Sequence, residues 1–191
     1  MIMLNPEIFL QPADGLLIVD VQVDFCPGGA LPIPNGDQVL DVVNLWIQTA
    51  YTKQSPLFFS RDFHPLKHPS FQDQGGSWPV HCLQDSPGAE FHPHLFLPQE
   101  SILITKGVRF DHDQNSAFDQ TGLQYLVQKM NLQRMIVAGL ALDVCVQATV
   151  LDSLKVGLET HVLLQGTRAV SESGGQQAQQ QMQQAGAVLH S

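Results

Sequence analysis

Short runs of uninterrupted apolar residues alternate along this chain with longer stretches whose apolar positions recur every three or four residues. Leu16-Leu17-Ile18-Val19 predicts a buried strand. Val39, Val42, Val43, Trp46, Ile47 and Ala50 share one helical face and predict a helix over 39–50. Pro56 to Ser60 predicts a second strand, its proline tolerable at the first position. Further strands are expected at Ile102–Thr105, Met135–Ala138 and His161–Leu164, with Ala187–Leu189 a candidate for the last. Helices are expected near 121–130, from about 144 to 156, and near 175–185. Strands that are apolar throughout belong in a parallel sheet covered on both faces. The repeated strand–helix order therefore predicts an α/β fold, a doubly wound and mostly parallel sheet with helices on both faces in three layers. With 191 residues and no internal repeat, one domain over 1–191 is expected.

Composition narrows the partners. The formal net charge of -9 argues against nucleic acid and anionic membranes, both of which need concentrated Lys and Arg. No apolar run approaches the ~18 residues of a membrane span. The opening Met1-Ile2-Met3-Leu4-Asn5-Pro6-Glu7 lacks the basic start of a signal peptide, so the cytoplasm is the expected compartment. Gln dominates from Gln176 to Gln184, which reads as a solvated helix face. Three cysteines, Cys26, Cys82 and Cys145, form neither a disulfide framework nor a closely spaced zinc motif. Each is by default a small buried hydrophobe unless its surroundings make it reactive.

In open parallel sheets ligands bind beyond the carboxyl ends of the strands, so the residues directly after each strand are the ones to inspect. Asp20, Gln22, Asp24 and Phe25 follow the first, and Arg61, Asp62 and His64 the second. Lys106 follows the third, and Gly139-Leu140-Ala141-Leu142-Asp143-Val144-Cys145 the fourth. An acid, a metal-ligand pair, a lysine and a nucleophile thus share one rim. Cys145 opens a predicted helix, whose positive end is expected to lower its thiol toward the thiolate and whose free N–H groups could hold an oxyanion. Asp20 can take the thiol proton and later deliver it to a departing amine, and Lys106 can hold Asp20 ionised. Alone, either residue would more often be a cap or a surface charge. Asp62-Phe63-His64, with His68 and then Trp78-Pro79-Val80-His81-Cys82, collects carboxylate and imidazole in the Pro-, Gly- and His-rich stretch 63–98. Such ligands suit zinc, manganese or iron. A connection that long is usually functional.

These segments, together with Val19-Asp20-Val21-Gln22-Val23-Asp24-Phe25-Cys26-Pro27-Gly28-Gly29 and Lys106-Gly107, resemble the isochorismatase-like cysteine hydrolases, specifically their nicotinamidase/pyrazinamidase branch. The resemblance runs from about Leu16 to Leu164. It implies a triad of Asp20, Lys106 and Cys145, and metal ligands Asp62, His64 and His81, with His68 a fourth ligand in some relatives and a neighbour in others. It also implies a cis peptide between Leu140 and Ala141, with the N–H groups of Ala141 and Cys145 facing the oxyanion. Phe25 and Trp78 match positions flanking a flat ring. The implied activity is hydrolysis of nicotinamide, and of pyrazinamide, with one divalent ion, zinc foremost, and a role in NAD salvage. An amidase for another small amide is the alternative, and a homo-oligomer is left open. Val144, Asn115 and Arg109 depart from the commonest pattern of the branch and bear on pocket dimensions and substrate preference.

Overall fold

The computed structural model describes residues 4–191. Six strands form one sheet: β1 (Asp14–Val19), β2 (Leu57–Asp62), β3 (Ile102–Lys106), β4 (Arg134–Leu140), β5 (Glu159–Arg168) and β6 (Val188–His190). They run in the order β3-β2-β1-β4-β5-β6, and every neighbouring pair is parallel. The helices are α1 (Pro6–Phe9), α2 (Leu40–Thr52), α3 (Leu123–Lys129), α4 (Gln147–Lys155) and α5 (Glu172–Gln184). Among the described residues no helix is long and apolar enough to cross a membrane.

The three-layer expectation holds because alternate residues of each central strand enter opposite cores. Leu16, Ile18, Ile136 and Ala138 pack with Val43, Trp46 and Ile47 of α2. Leu17, Val19, Met135 and Val137 pack with Leu123 and Val127 of α3, Val150 of α4, and Ala178 and Met182 of α5. Every side chain of β1 is therefore buried, which is why its sequence shows no polar alternation.

The chain leaves β1 outward through β2 and β3, then returns to lay β4 on the other side of β1. The reversal between β1 and β4 opens a crevice at their carboxyl ends. Gly139 lets β4 end there. It adopts φ 118°, and a Cβ would stand 2.0 Å from the Val19 carbonyl oxygen, so no other residue brings the two strand ends so close.

Several boundaries differ from expectation. The helix expected from 144 is preceded by a wide π turn, Leu142–Val146, before α4 begins at Gln147. Helix α5 begins three residues before Gly175, because the Ser171 hydroxyl accepts from the Gly174 N–H and caps it. Strand β5 runs on to Arg168, past the apolar segment, by pairing Thr167 and Arg168 with Gly139 and Leu140 beyond a register shift. Helix α1 is a single turn capped by the Asn5 side chain, too short to show periodicity.

Candidate active site

The strand ends bring Asp20, Lys106 and Cys145 together, although they lie far apart in sequence. Asp20 and Lys106 are fully buried, and Cys145 nearly so. The Lys106 ammonium lies 2.8 Å from Asp20 Oδ2 and 2.6 Å from Asp62 Oδ1, and donates to Cys145 Sγ at 3.4 Å. Ligand atoms of Asp20, Asp62 and Cys145 converge within 4.8 Å of one another, an arrangement that could in principle hold a cation. The lysine fills that position itself. Ser60 Oγ donates to Asp20 Oδ1 at 2.7 Å from the neighbouring strand and fixes the carboxylate's other edge. The buried Gln22 side chain clamps Asp62, donating to its carbonyl at 2.8 Å and accepting from its N–H at 2.7 Å.

Charge and burial oppose one another in this cluster. Burial pushes the Asp20 carboxyl above its ordinary range and the Asp62 charge adds to that, while Lys106 offsets part of it. Burial would also raise Asp62, but the Lys106 charge and the attraction of the nearby His64 ring overcome it and hold Asp62 well below the usual carboxylate range. Burial pushes the Cys145 thiol well above its ordinary value, with the Asp20 and Asp62 charges acting the same way and Lys106 against. Burial and the two anions thus oppose the lowering expected from the helix end and favour the thiol form of Cys145.

Next to Cys145 the backbone leaves an N–H donor free. The peptide between Leu140 and Ala141 is cis. The Val144 and Val146 N–H groups, on either side of the cysteine, both donate to the Ala141 carbonyl. The Ala141 N–H has no acceptor among the described residues.

A second constellation adjoins the first through Asp62. One ligand atom each from Asp62, His64 and His81 falls within 4.8 Å of the others. His64 Nδ1 donates to the Gly107 carbonyl at 2.8 Å, and His81 Nδ1 donates to the Pro79 carbonyl at 2.7 Å. A carbonyl accepts only from N–H, so both rings carry a proton on Nδ1 and turn Nε2 inward, where the neutral ring offers a lone pair. His64 Nε2 is buried without a hydrogen-bond partner, as a ligand atom would be. Gly107 is glycine for this reason: at φ +67° a Cβ would meet the His64 ring at 2.4 Å. His68 stands behind the trio, its ring 4.1 Å from that of His64 and its Nδ1 2.7 Å from Ser70 Oγ. Its Nε2 is buried and unpartnered, and it is not one of the three convergent residues. Burial, then the His64 charge, push the His68 ring down to about 4. Phe71, which the sequence reading passed over, packs its ring edge against His64, His68 and His81.

One pocket joins the two constellations. Cys145, Ala141, Asp62 and His81 line it with Phe25 and Trp78. Val144 and Asn115 line it too, whereas Arg109 lies outside, paired with Asp111 and Gln120. Asp113, unremarked in the sequence, is also in the wall.

The isochorismatase domain model matches residues 14–191, nearly the whole chain. The chain belongs to the isochorismatase family. Within that family it falls in the nicotinamidase/pyrazinamidase branch, as three relatives indicate. Nicotinamidase of Escherichia coli is 36% identical, the match covering 94% of this chain and 95% of that protein. Pyrazinamidase of Pyrococcus horikoshii in complex with zinc superposes with a TM-score of 0.90 at 36% identity, over 93% of this chain and 98% of the other. PnC1 from L. infantum in complex with nicotinate gives a TM-score of 0.86 at 35% identity, covering 93% and 92%. Isochorismatase-family membership thus agrees with the residues that first suggested it.

Proposed function

We infer that this chain is a nicotinamidase, an amidohydrolase that converts nicotinamide to nicotinate and ammonia and also accepts pyrazinamide. The observation that carries the reading is Asp62, which touches the catalytic lysine with one oxygen and faces the histidine pair with the other, inside one aromatic-walled pocket. The zinc complex of the P. horikoshii relative and the nicotinate complex of the L. infantum relative support it.

The donor set fits a divalent ion. Asp62 is ionised, His64 and His81 present inward Nε2 atoms, and burial pushes His81 below its ordinary range, which keeps it neutral and ligand-competent. One carboxylate and two imidazoles leave open positions and suit zinc best, with manganese or iron as substitutes. When bound, the ion supplies a Lewis-acidic position for the pyridine nitrogen.

The chain's own residues then perform the chemistry. Phe25 and Trp78 flank the ring and place the carboxamide against Cys145. Asp20 takes the thiol proton as Sγ bonds to the carboxamide carbon, and the N–H groups of Ala141 and Cys145 receive the oxyanion. The C–N bond breaks as Asp20 returns its proton to the nitrogen, releasing ammonia and leaving a thioester. Water then gives a proton to Asp20 and its oxygen to the carbonyl carbon. Sγ departs, recovers that proton from Asp20, and the acid ionises to nicotinate. Lys106 stays protonated throughout, because the Asp20 and Asp62 charges outweigh its burial and hold it well above its ordinary value.

Purified, metal-analysed protein incubated with nicotinamide is expected to release ammonia, to lose that activity in a strong chelator, and to regain it with added zinc. Absence of release from fully metal-loaded protein would redirect the assignment to another small amide.

The protonation states fix the pH profile. Asp20 works as the ionised base, and its carboxyl lies above the ordinary value of 3.8. The rate constant kcat/KM is therefore expected to fall as pH drops through the raised Asp20 value, with the acid limb lying above that of a free aspartate. Cys145 and Lys106, both well above their ordinary values, contribute no alkaline limb near neutrality. A pH–rate series with metal content measured at each point tests this, and an acid limb at or below that of a free aspartate contradicts it.

A further inference from the structure

The reaction changes the charge of what the pocket holds. A neutral carboxamide enters, and a carboxylate must leave from the same place beside Cys145. Lys106, the side-chain cation beside that point, is already shared between Asp20 and Asp62. Much of the remaining wall is apolar, including Leu31, Ile33, Val144 and Val170. Into this wall the loop after β3 places the side chain of Asp113.

The loop is anchored at the residue next to Asp113 and gives the Asp113 carboxylate no ion-pair partner among the described residues. The next residue, Gln114, is buried, accepts from the Val108 N–H at 3.2 Å and donates to the Asp119 carbonyl at 2.6 Å. The cations of this loop are engaged elsewhere: Arg109 pairs with Asp111, and His112 with Asp119 and Asp111. Among the described residues no ion pair includes Asp113. Burial, then the charge of Asp62, raise its carboxyl above the ordinary range, while Lys106, His64 and His112 act the other way, so Asp113 and the charges of the catalytic centre lie within reach of one another.

We propose that Asp113 is a specificity-determining residue that lets the pocket distinguish the neutral amide from its anionic product, favouring entry of the first and departure of the second. The inference rests on the nicotinamidase reading for the identity of that product. Partly screened like charges sharing one pocket shift affinity by about tenfold.

The test is calorimetric binding to the metal-loaded protein, which reports whether or not turnover occurs. Two ligands are compared, nicotinate and the neutral isostere 3-acetylpyridine. The wild type should bind the neutral ligand more tightly. Asp113→Asn should narrow the gap in Kd by about tenfold, through tighter nicotinate binding, and Asp113→Glu should restore it. An unchanged gap in Asp113→Asn, or equal weakening of both ligands in both variants, would overturn the proposal. Should Asp113→Asn fail to fold, the wild type still decides, because equal Kd values for the two ligands contradict charge discrimination. Failure of the nicotinamidase reading shows separately, as absence of ammonia release from nicotinamide.

Discussion

Cys145→Ala is expected to give a folded, metal-loaded protein that releases no measurable ammonia from nicotinamide. The fold should survive because the substitution removes only a sulfur that accepts a weak hydrogen bond from Lys106 at 3.4 Å. The ammonium keeps both its carboxylate partners, at 2.8 and 2.6 Å, so no buried charge is left alone. Loss of a buried atom of this size costs on the order of 1 kcal/mol. The activity, by contrast, should fall by at least ~10⁴-fold, as when a nucleophile is removed from other acyl-transfer sites. The remaining groups can still bind the amide and polarise it, but they have nothing to transfer the acyl group to. Two measurements check this together: the ammonia release rate of the variant, and the mass of wild-type protein quenched during turnover, which should include a species heavier by one nicotinoyl group. A variant rate within about a hundredfold of wild type would mean that water attacks directly, with the cysteine incidental.

The same cysteine marks the limit of what the sequence discloses. Its place after an apolar strand and before a helix is visible in the order of residues, as are Asp20 after β1 and Lys106 at the end of β3. Apolar strands reveal themselves because both faces are covered, and the ends of those strands give the rim. The protonation state of Cys145 is not visible, because it depends on burial and on Asp20 and Asp62 arriving from other strands. Ser60 and Gln22 are equally silent. Each is an ordinary polar residue until the parallel register sets Ser60 beside Val19, next to Asp20, and a buried loop turns Gln22 onto Asp62. The π turn at Leu142–Val146 has no signature of its own, since its width comes from Val146 reaching back to the Ala141 carbonyl. His64 and His81 were legible as ligands through composition and resemblance, but the tautomer that frees their Nε2 atoms is set by the carbonyls of Gly107 and Pro79. Asp113 carried no signal either, because an acid in a polar loop is normally solvated and only the folded loop turns it into the pocket.

Asp62→Asn is the substitution expected to damage both constellations at once. Its Oδ1 lies 2.6 Å from the Lys106 ammonium and its Oδ2 3.7 Å from His64 Nε2, so in the proposed mechanism one residue serves both the proton-transfer cluster and the candidate metal-ligand trio. An amide in its place keeps the size and the backbone clamp from Gln22, but loses the charge that a dication requires. Even residues that only support metal ligands cost 10- to 100-fold in affinity when changed. A direct ligand should therefore lose at least about 100-fold, so the variant purifies with little metal and kcat/KM falls by at least that factor. Excess zinc should restore only part of the rate, since Lys106 also loses one of its two anions and its orientation toward Asp20 loosens. Stability should suffer less than activity. Lys106 and Asp20 remain as a one-to-one buried pair, whereas Lys106→Met would leave two buried carboxylates uncompensated and cost about 3–5 kcal/mol. Metal content per chain, kcat/KM at saturating zinc and the unfolding midpoint of the apo protein separate these contributions. Full metal occupancy with wild-type kcat/KM would show that Asp62 is not a ligand. A loss fully repaired by zinc would confine its role to metal affinity and leave the orientation of Lys106 to Asp20 alone.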